Sequence, residues 1–431
     1  METPVAAVGI YISVPFCRTK CTYCNFASGV FSREKYQRYA EQVCADIAKA
    51  PQIAAEQEAR FQNNVDSIYL GGGSPTVLNS EQLREIFSAI RQRFCVARAA
   101  EITIECAPGS LTPEMLDTLL ACGVNRVSLG VQSFIDQESR AVGRLHTRDI
   151  VLADIDRLRA AGIQEINIDL IAGLPHQTRE SWRESLDVLI ASDVPHASVY
   201  MLEIDEDSRL GAELLAGGTR YHAHHVPDED LTAELYETAC ERLNVAGIAQ
   251  YEISNFARAG HESKHNLKYW TRQPYFGFGV DASSMLLPES EFAAAGINAI
   301  RFGMADTLDD FLSANPDKRM FANQIISNLS ALEEEFFLGL RLNRGISLEA
   351  LREQYGDELL ADSAEKIADL CNIGLVCREA DRFVLTAKGR LLSNEVFEKF
   401  VALDLTEDEL FDILDAERRG ELPVQIAPKV N

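Results

Sequence analysis

The sequence predicts an α/β fold built on a parallel sheet, followed by a small, mostly helical domain. Strand-like and helix-like segments alternate through the first two-thirds of the 431 residues. The strand-like segments are almost continuously apolar, as strands covered on both faces are, and the alternation stops beyond about Ile325. Six such units in series imply right-handed crossovers, in either an open doubly wound sheet or part of a (βα) barrel.

Six segments are expected to be strands. Pro15 ends the first of them, and three glycines at residues 71–73 interrupt the second. In either sheet architecture the functional loops follow the carboxyl ends of the strands. The predicted strands are residues 9–14, 66–70, 101–106, 126–131, 165–172 and 197–204.

The segments between these strands have helical periodicity. Apolar residues of the second helix recur at i, i+3, i+4 and i+7, which places them on one face; they are Leu83, Ile86, Phe87 and Ile90. Thr112 and Pro113 form a typical N-cap and first-turn pair, and Gly123 ends that helix. The predicted helices are residues 33–49, a segment around 83–90, 113–123, 149–162, a segment around 182–189, and 228–247.

The C-terminal part is expected to be a small helical domain, with a winged helix as one candidate fold. Residues 333–341, 347–355 and 363–370 look helical, and a short strand at 383–386 precedes a helix at 387–400. Residues 402–431 hold eight acidic and three basic residues, which predicts a solvated acidic tail. The expected division of the chain is 1–245, 246–325 and 326–431.

The composition excludes several classes of partner. With 41 Lys and Arg against 66 Asp and Glu, the net charge of −25 repels phosphate backbones and anionic membranes. No apolar run approaches the roughly 18 residues of a membrane span, and no basic residue precedes Arg18, so no signal peptide is expected. The chain is therefore expected in the cytoplasm, with its ten cysteines mostly free.

Three of those cysteines lie within eight residues. Cys17, Cys21 and Cys24 directly follow the first predicted strand, in a loop at the functional end of the sheet. Soft thiolates select zinc, copper(I) or iron–sulfur clusters. A structural zinc needs four ligands, and the first histidine is the distant His146. An iron–sulfur cubane on three thiolates would keep one iron open; incomplete zinc or three unrelated cysteines are the alternatives.

The C-x3-C-x2-C spacing directly after the first strand resembles the radical S-adenosylmethionine superfamily. The resemblance implies a partial (βα)6 barrel of the TIM type over residues 1–245, and a 4Fe-4S cluster on Cys17, Cys21 and Cys24. It also implies that S-adenosylmethionine completes the open iron and that one electron from the cluster cleaves the sulfonium. The cofactors then carry the chemistry and the protein positions them.

The ends of the following strands fit the same superfamily. Residues 71–76 resemble its glycine-rich motif, in which Gly72, Gly73 and Ser74 hold the methionyl end of the cofactor. Backbone without side chains admits a ligand closely, and exposed N–H groups bind carboxylate. A guanidinium can form two parallel hydrogen bonds with the carboxylate of the cofactor. Protein carboxylates and an amide can bind its hydroxyl and amino groups, and a tyrosine can contact its adenine. The predicted contacts are Tyr11, Glu105, Gln132, Arg144 and Asp169.

Within the superfamily the chain resembles the coproporphyrinogen dehydrogenase branch over nearly its whole length, including residues 335–341 and 385–390. True dehydrogenases of that branch carry a fourth cysteine two residues after the third, and an N-terminal extension around the porphyrinogen. Here Phe26 stands at that position and sixteen residues precede Cys17. Both differences speak against oxidative decarboxylation of coproporphyrinogen III to protoporphyrinogen IX, which is the alternative function.

The HemW-type haem chaperones of the same branch fit better. Residues 24–26 read C-N-F, as in that group, and residues 265–270 match its H-N-x-x-Y-W motif. The resemblance implies haem binding at His265, a haem donor, a haem-requiring acceptor protein, and allows a homodimer. A neutral imidazole can ligate haem iron, and Tyr and Trp can pack on a porphyrin. Without the motif, a histidine beside Tyr and Trp is a packed core residue.

Three further histidines, His222, His224 and His225, lie together in a predicted loop. Metal sites of this kind use three or four well-placed ligands. No Cys or carboxylate completes a convincing set here, so an exposed polar loop is expected.

Overall fold

The computed structural model describes residues 7–294, 296–315, 318–321 and 323–401. The predicted acidic tail, residues 402–431, lies outside the described residues. Within these ranges no helix is long and apolar enough to cross a membrane. The described chain consists of a large sheet flanked by helices and a C-terminal helical unit.

Six parallel strands form the centre of the sheet, and each pairs with its successor in the sequence. All six predicted strands are confirmed, but the last ends three residues before the predicted residue 204, where Ile204 is exposed in a loop. The strands are β1 Val8–Val14, β2 Asn64–Gly72, β3 Cys95–Cys106, β4 Arg126–Gln132, β5 Glu165–Ala172 and β6 His196–Met201.

Alternate residues of these strands face opposite sides. In β1, Ile10 and Ile12 are fully buried and belong to the main hydrophobic core between sheet and helices. Tyr11, between them, faces the inside of the barrel, where its ring lies near those of Tyr69 and His265. The inner face therefore carries the polar side chains, and the outer face holds the fold together.

Helices connect and cover the strands. Asn79 forms a capping box with Gln82, since its Oδ1 accepts from the Gln82 N–H at 2.9 Å. Thr112 Oγ1 accepts from the Met115 N–H at 3.2 Å ahead of Pro113, which confirms the predicted start of that helix. The helices are α1 Arg33–Ala48, α2 Ala50–Glu56, α3 Ser80–Arg93, α4 Pro113–Ala121, α5 Asp136–Ala141, α6 Arg148–Ala160, α7 Arg179–Ala191, α8 Arg209–Leu215 and α9 Glu229–Val245.

Short elements extend the sheet at both edges: β7 Ala249–Gln250, β8 Asn255–Ala257, α10 Lys264–Trp270, β9 Tyr275–Gly279, β10 Ser283–Leu286, α11 Ser290–Ala294, β11 Ile297–Gly303, α12 Leu308–Phe311 and β12 Gln324–Ser327. β9 pairs in parallel with β1, and β10, β11 and β12 continue antiparallel beyond it. β8 pairs antiparallel with β6, and β7 with β8. Because β7 and β12 are the edges of the described sheet, the barrel is partial.

The C-terminal unit has its own hydrophobic core, which includes Phe336 and Phe400 with stacked rings 4.7 Å apart. Three helices precede a two-stranded hairpin, which is a winged-helix-like arrangement. The predicted helix 387–400 is two short helices separated at Leu392. The elements are α13 Asn328–Arg341, α14 Leu348–Tyr355, α15 Asp357–Asn372, β13 Val376–Glu379, β14 Arg382–Leu385, α16 Ala387–Leu391 and α17 Ser393–Phe397.

Candidate functional site

The cysteine loop leaves the carboxyl end of β1 and is closed at its base. The Cys17 N–H donates to the Gly29 carbonyl at 2.9 Å, and the Gly29 N–H donates to the Pro15 carbonyl at 2.9 Å. The Phe16 ring is fully buried, 4.2 Å from Tyr36 and 5.1 Å from Tyr39 between ring centroids. The loop therefore starts from a rigid, buried anchor, whereas the cysteines themselves lie outside the core.

All three thiols of this loop are half-buried. Burial raises the pKa of Cys17 and Cys24, and the charges of the other cysteines in the loop raise it further. The Cys24 N–H donates to the Cys21 carbonyl at 3.4 Å, so these two cysteines share one turn. Among the described residues, no set of three or more His, Cys, Asp and Glu side chains is arranged around one metal ion. A cubane makes a different demand, because each of its iron atoms takes a separate thiolate.

The glycine run touches both the cysteine loop and the third strand end. A Cβ on Gly73 would lie 2.7 Å from the Phe16 carbonyl oxygen and 3.0 Å from Cys17 Sγ. A Cβ on Gly71 would lie 2.9 Å from Glu105 Oε1, and Gly72 has a φ of +98°. Only glycine fits this path without displacement, so the run forms a bare backbone cradle beside the thiols.

The carboxylates of Glu105 and Asp169 lie inside the barrel, at the carboxyl ends of its strands. Glu105 Oε1 accepts from the Tyr69 hydroxyl at 2.8 Å, while Asp169 accepts from Ser128 at 3.0 Å and Asn167 at 2.7 Å. Desolvation, and then the charge of Asp169, raise the pKa of Glu105 to about 7. A ligand that donates hydrogen bonds from hydroxyl or ammonium groups would therefore stabilise the charged form of these two carboxylates.

Arg144 lies beside these acids and reaches the cysteine loop. One of its terminal nitrogens donates to the hydroxyl of Tyr23 at 3.1 Å, between Cys21 and Cys24 in the sequence. Its Nε is buried and finds no hydrogen-bond partner among the described residues. A buried donor of a charged group without a partner is costly, so this guanidinium is suited to receive an anionic ligand.

The fourth strand ends in a distorted register that directs Gln132 into the mouth. The pairing of β4 with β5 shifts between Gly130 and Gln132, and Gln132 has a φ of +70°. A Cβ on Gly130 would lie 3.2 Å from Arg144 and 3.3 Å from Gln132 Nε2. Bulges of this kind re-aim side chains next to functional sites. The predicted strand-end residues therefore meet at one place, which we call the rim: the carboxyl ends of β1–β6 with their loops.

The residues of the rim fit the chemistry expected of a cluster and an amino-acid cofactor. Three thiols supply soft ligands, and the glycine cradle admits a small ligand to van der Waals contact. The Arg144 Nε, which has no partner among the described residues, can donate to an anion. Ser74 belongs to the same surface, since its N–H donates to the Phe16 carbonyl at 2.7 Å. Tyr11 lies deeper, with its ring 6.1 Å from that of Tyr69.

His265 lies at the opposite end of the barrel, near the start of α10. Its ring is 1% exposed, its Nδ1 is 3.0 Å from Ser67 Oγ and its Nε2 is 2.8 Å from the Tyr269 hydroxyl. The ring stacks on Tyr69 at 5.3 Å. Burial, and then the charge of Lys268, lower the pKa of His265 to about 3. Both ring nitrogens are therefore occupied in this conformation.

The surrounding segment closes that end of the barrel, and we call residues 263–270 the plug. The backbone N–H groups of Lys264 and His265 each donate to the Glu101 carboxylate at 3.1 Å, and Glu101 lies 3.6 Å from the buried Arg126. Trp270 packs under the guanidinium of Arg341 on α13 at 4.3 Å. The motif therefore joins the barrel to the C-terminal unit.

Sequence reasoning missed three residues near these sites. Tyr69 is paired in register with Tyr11, and strand alternation on β2 could have placed it on the inner face. Tyr23 stands inside the cysteine motif, where the spacing of the thiols gives no signal for it. His176 follows the carboxyl end of β5, and its Nε2 is 3.1 Å from His222 Nδ1; only the tertiary structure brings these two segments together.

Two family models match the chain. The radical SAM superfamily model matches residues 11–189, and the HemN C-terminal domain model matches residues 326–392. The chain is similar over nearly its whole length to the solved coproporphyrinogen III oxidase HemN from Escherichia coli, with a TM-score of 0.76 at 22% identity over 93% of this chain and 91% of that one. That likeness confirms the α/β fold with its partial barrel.

Curated relatives are similar over nearly their whole length. Heme chaperone HemW of Lactococcus lactis is 33% identical over 396 residues, 92% of this chain and 97% of the relative. Heme chaperone HemW of Bacillus subtilis is also 33% identical, over 91% and 98% of the two chains, and that of Escherichia coli is 27% identical over 92% and 98%. The chain therefore belongs to the HemW family of the radical SAM superfamily.

Proposed function

We propose that this protein is a haem chaperone, which binds haem and hands it to a haem-requiring acceptor protein. The observation that carries the proposal is its 33% identity to proteins named heme chaperone HemW along almost the entire chain. The rim and the plug support the proposal, because the rim offers positions for ligands and the plug carries the H-N-x-x-Y-W motif. A haem donor, an acceptor and a second copy of the chain are the proposed partners, in the cytoplasm.

The proposed cluster site is the cysteine loop. Cys17, Cys21 and Cys24 would hold a 4Fe-4S cluster through three of its irons, and the cluster would supply single electrons when bound. The loop base anchored by Phe16 fixes where the thiols start, and Gly73 keeps the adjoining backbone free of a side chain that would touch Cys17 Sγ. The chain's own part is to hold the thiols and leave one side open.

The proposed S-adenosylmethionine site is the rest of the rim. Arg144 would bind the cofactor's carboxylate with the Nε that has no partner among the described residues, and the N–H groups of the Gly72–Ser74 segment would support it. Glu105 and Asp169 would accept hydrogen bonds from its amino and hydroxyl groups, with Gln132 beside them. Tyr11 is the proposed adenine contact.

The proposed haem contact at His265 requires the plug to open. Iron would have to replace the Tyr269 hydroxyl at Nε2 or Ser67 at Nδ1, and a porphyrin needs far more room than a ring that is 1% exposed offers. Movement of α10 would also release Glu101 from two backbone N–H groups. Haem binding at this residue would therefore be coupled to a loosening of the barrel end.

A paired assay tests the proposal. Full-length reconstituted protein is titrated with ferric haem, followed by its Soret band, and the loaded protein is mixed with apomyoglobin as a generic acceptor. In parallel the protein receives coproporphyrinogen III, S-adenosylmethionine and reductant. Haem uptake and transfer without protoporphyrinogen IX is the expected result. Formation of protoporphyrinogen IX would instead establish the dehydrogenase alternative.

A further inference from the structure

Four imidazoles meet on the outer surface beside the rim. His176 comes from the turn after β5, and the others come from the short turn at residues 220–225. His176 Nε2 lies 3.1 Å from His222 Nδ1, the His176 and His225 rings lie 4.0 Å apart, and His224 lies 4.0 Å from His225. The whole chain has eight histidines, so half of them share this surface, which we call the histidine cluster.

One ring nitrogen of His222 is engaged by His176, which leaves the other for a ligand. In the tautomer in which its Nδ1 donates to His176, its Nε2 carries a lone pair, and no hydrogen bond to that nitrogen occurs among the described residues. The ring is exposed. A ligating imidazole typically uses its second nitrogen in this way, because the bond fixes the tautomer and the ring orientation. His176 plays that orienting part here.

The backbone keeps the two rings together at some cost. His176 and His222 have φ values of +68° and +61°, a conformation that costs non-glycine residues about 1 kcal/mol or more. The His176 N–H donates to the His225 carbonyl at 2.9 Å, which ties the two segments directly. The arrangement is therefore a defined pairing of two turns.

The histidine cluster adjoins the cysteine loop. Arg209 donates to the Lys20 carbonyl within that loop and lies 5.5 Å over the ring of Tyr221, next to His222. The Leu210 N–H donates to the Thr22 carbonyl at 2.8 Å. Leu215, on the helix α8 that packs against residues 220–225, is 67% exposed. An aromatic ring, an exposed aliphatic side chain and a guanidinium group therefore lie on the segments that adjoin His222.

This set of groups favours an iron porphyrin over a bare cation. A bare zinc ion takes three or four protein ligands, and the described residues contain no group of three arranged for one ion. Haem iron already has its four equatorial positions filled by the porphyrin, so one axial imidazole holds it. The exposed Arg220 beside the cluster can pair with a propionate.

We propose that the histidine cluster is a surface site for haem, in which His222 is an axial ligand of the iron and His176 positions its ring. The proposal rests on the proposed function, because it assumes that this chain handles haem. It places a haem site at the rim, beside the cysteine loop, and separate from the enclosed His265. Haem can reach this site without any movement of the plug.

Ferric haem titrations of full-length variants test the site, with the Soret band as readout. Asn replaces His at both left-handed positions, because Asn tolerates that backbone. We expect His222→Asn to abolish haem binding at the histidine cluster. His176→Asn should weaken that binding about tenfold, as loss of an orienting partner does. His224→Asn, an exposed neighbour, and His265→Ala should retain it, with circular dichroism confirming that each variant is folded.

The other outcomes separate the explanations. Wild-type haem binding that His222→Asn leaves unchanged would overturn the surface site and leave the chaperone proposal standing. Equal loss in His222→Asn and His224→Asn would show adventitious binding by a histidine-rich surface and would also overturn it. A Zn²⁺ titration abolished by His222→Asn, with haem binding unchanged, would identify a bare-cation site instead. A wild-type protein that binds no haem at all would contradict the proposed function itself.

Discussion

The two ends of the barrel differ in what fills them. At the plug, Glu101 accepts two backbone N–H groups and faces Arg126, and His265 uses both ring nitrogens. At the rim, Arg144 keeps a buried Nε without a partner among the described residues, and Glu105 lies close enough to Asp169 for the two charges to repel. Buried donors without a partner among the described residues occur at both ends, including Arg126 Nη2 at the plug, so the difference lies in what fills each end: residues of the chain at the plug, and bare backbone with half-buried thiols at the rim.

This difference indicates which end is prepared for ligands. A ligand at the plug would have to displace the hydrogen bonds of His265, whereas the rim offers three half-buried thiols. The rim also has the glycine path that any side chain would obstruct, whereas the plug packs Trp270 against Arg341 of the C-terminal unit. We therefore expect substitutions at the rim to remove ligands from a folded protein, and substitutions at the plug to act first on stability.

The largest expected effect is at the cysteine loop. Cys17→Ala should reduce cluster iron in anaerobically reconstituted protein to background, because the remaining two thiols cannot hold a cubane in place. The apoprotein should keep its circular dichroism, since the loop lies outside the core. Cys95→Ala, an exposed cysteine at the start of β3, is the matched control and should keep full iron. An insoluble Cys17→Ala protein would show that the loop is structural.

At the plug, Glu101→Ala should lower the free energy of unfolding by about 3–5 kcal/mol. The substitution removes the acceptor of two backbone N–H groups and one of the two carboxylates beside the buried Arg126, which keeps only the partly exposed Glu165 at 3.4 Å. The loss of a buried acceptor and of a buried ion pair together has this size. Urea denaturation followed by tryptophan fluorescence measures it. The exposed Glu241→Ala on α9 should change stability by less than about 0.5 kcal/mol. Similar values for the two variants would mean that the plug is not held by this network.

Gly73→Ala tests the cradle between the two cofactor sites. The new Cβ would meet the Phe16 carbonyl and Cys17 Sγ, so we expect a loss of about 1–3 kcal/mol in stability and a marked loss of S-adenosylmethionine affinity by calorimetry. In the control Gly303→Ala the nearest atom is 3.3 Å away on the exposed Phe321 side chain, which can move. Unchanged cofactor affinity in Gly73→Ala would refute the cradle.

The smallest effect is the pH dependence of Glu105. Its pKa is raised from 4.5 to about 7, so between these values the folded protein retains a proton that the unfolded chain has released. Stability contributed by this group is therefore present below pH 4.5 and is lost as the pH rises through 7. Glu105→Gln removes the titration, and we expect its stability relative to wild type to increase from pH 5 to pH 8 by on the order of 1 kcal/mol. A pH-independent difference would contradict this assignment.

The features of the fold that could be predicted from the sequence are those that neighbouring residues determine. Apolar runs located six strands, and the Thr112–Pro113 pair located a helix start, because burial on both faces and capping depend on neighbouring residues. The two-residue strand β7 and the three-residue β8 carry too little periodicity to be recognised. Strand-end polar residues could be selected by the rule that parallel strands end together.

Other features depend on contacts far apart in the sequence. Nothing in the H-N-x-x-Y-W motif indicates that Ser67 and Glu101 of distant strands enclose His265. Likewise, the sequence predicts only an exposed loop for His222, because the fold alone brings it to His176, 46 residues away. Whether a histidine is free or occupied is decided by tertiary structure.

The electron paramagnetic resonance spectrum of the reduced cluster, recorded with and without S-adenosylmethionine, tests the central contrast most directly. If the rim holds a cluster with one open iron, the cofactor should shift the spectrum of the wild-type protein, and Cys95→Ala should show the same shift because Cys95 lies at the start of β3, away from the rim. A folded protein without iron, or a spectrum that the cofactor leaves unchanged, would contradict the account.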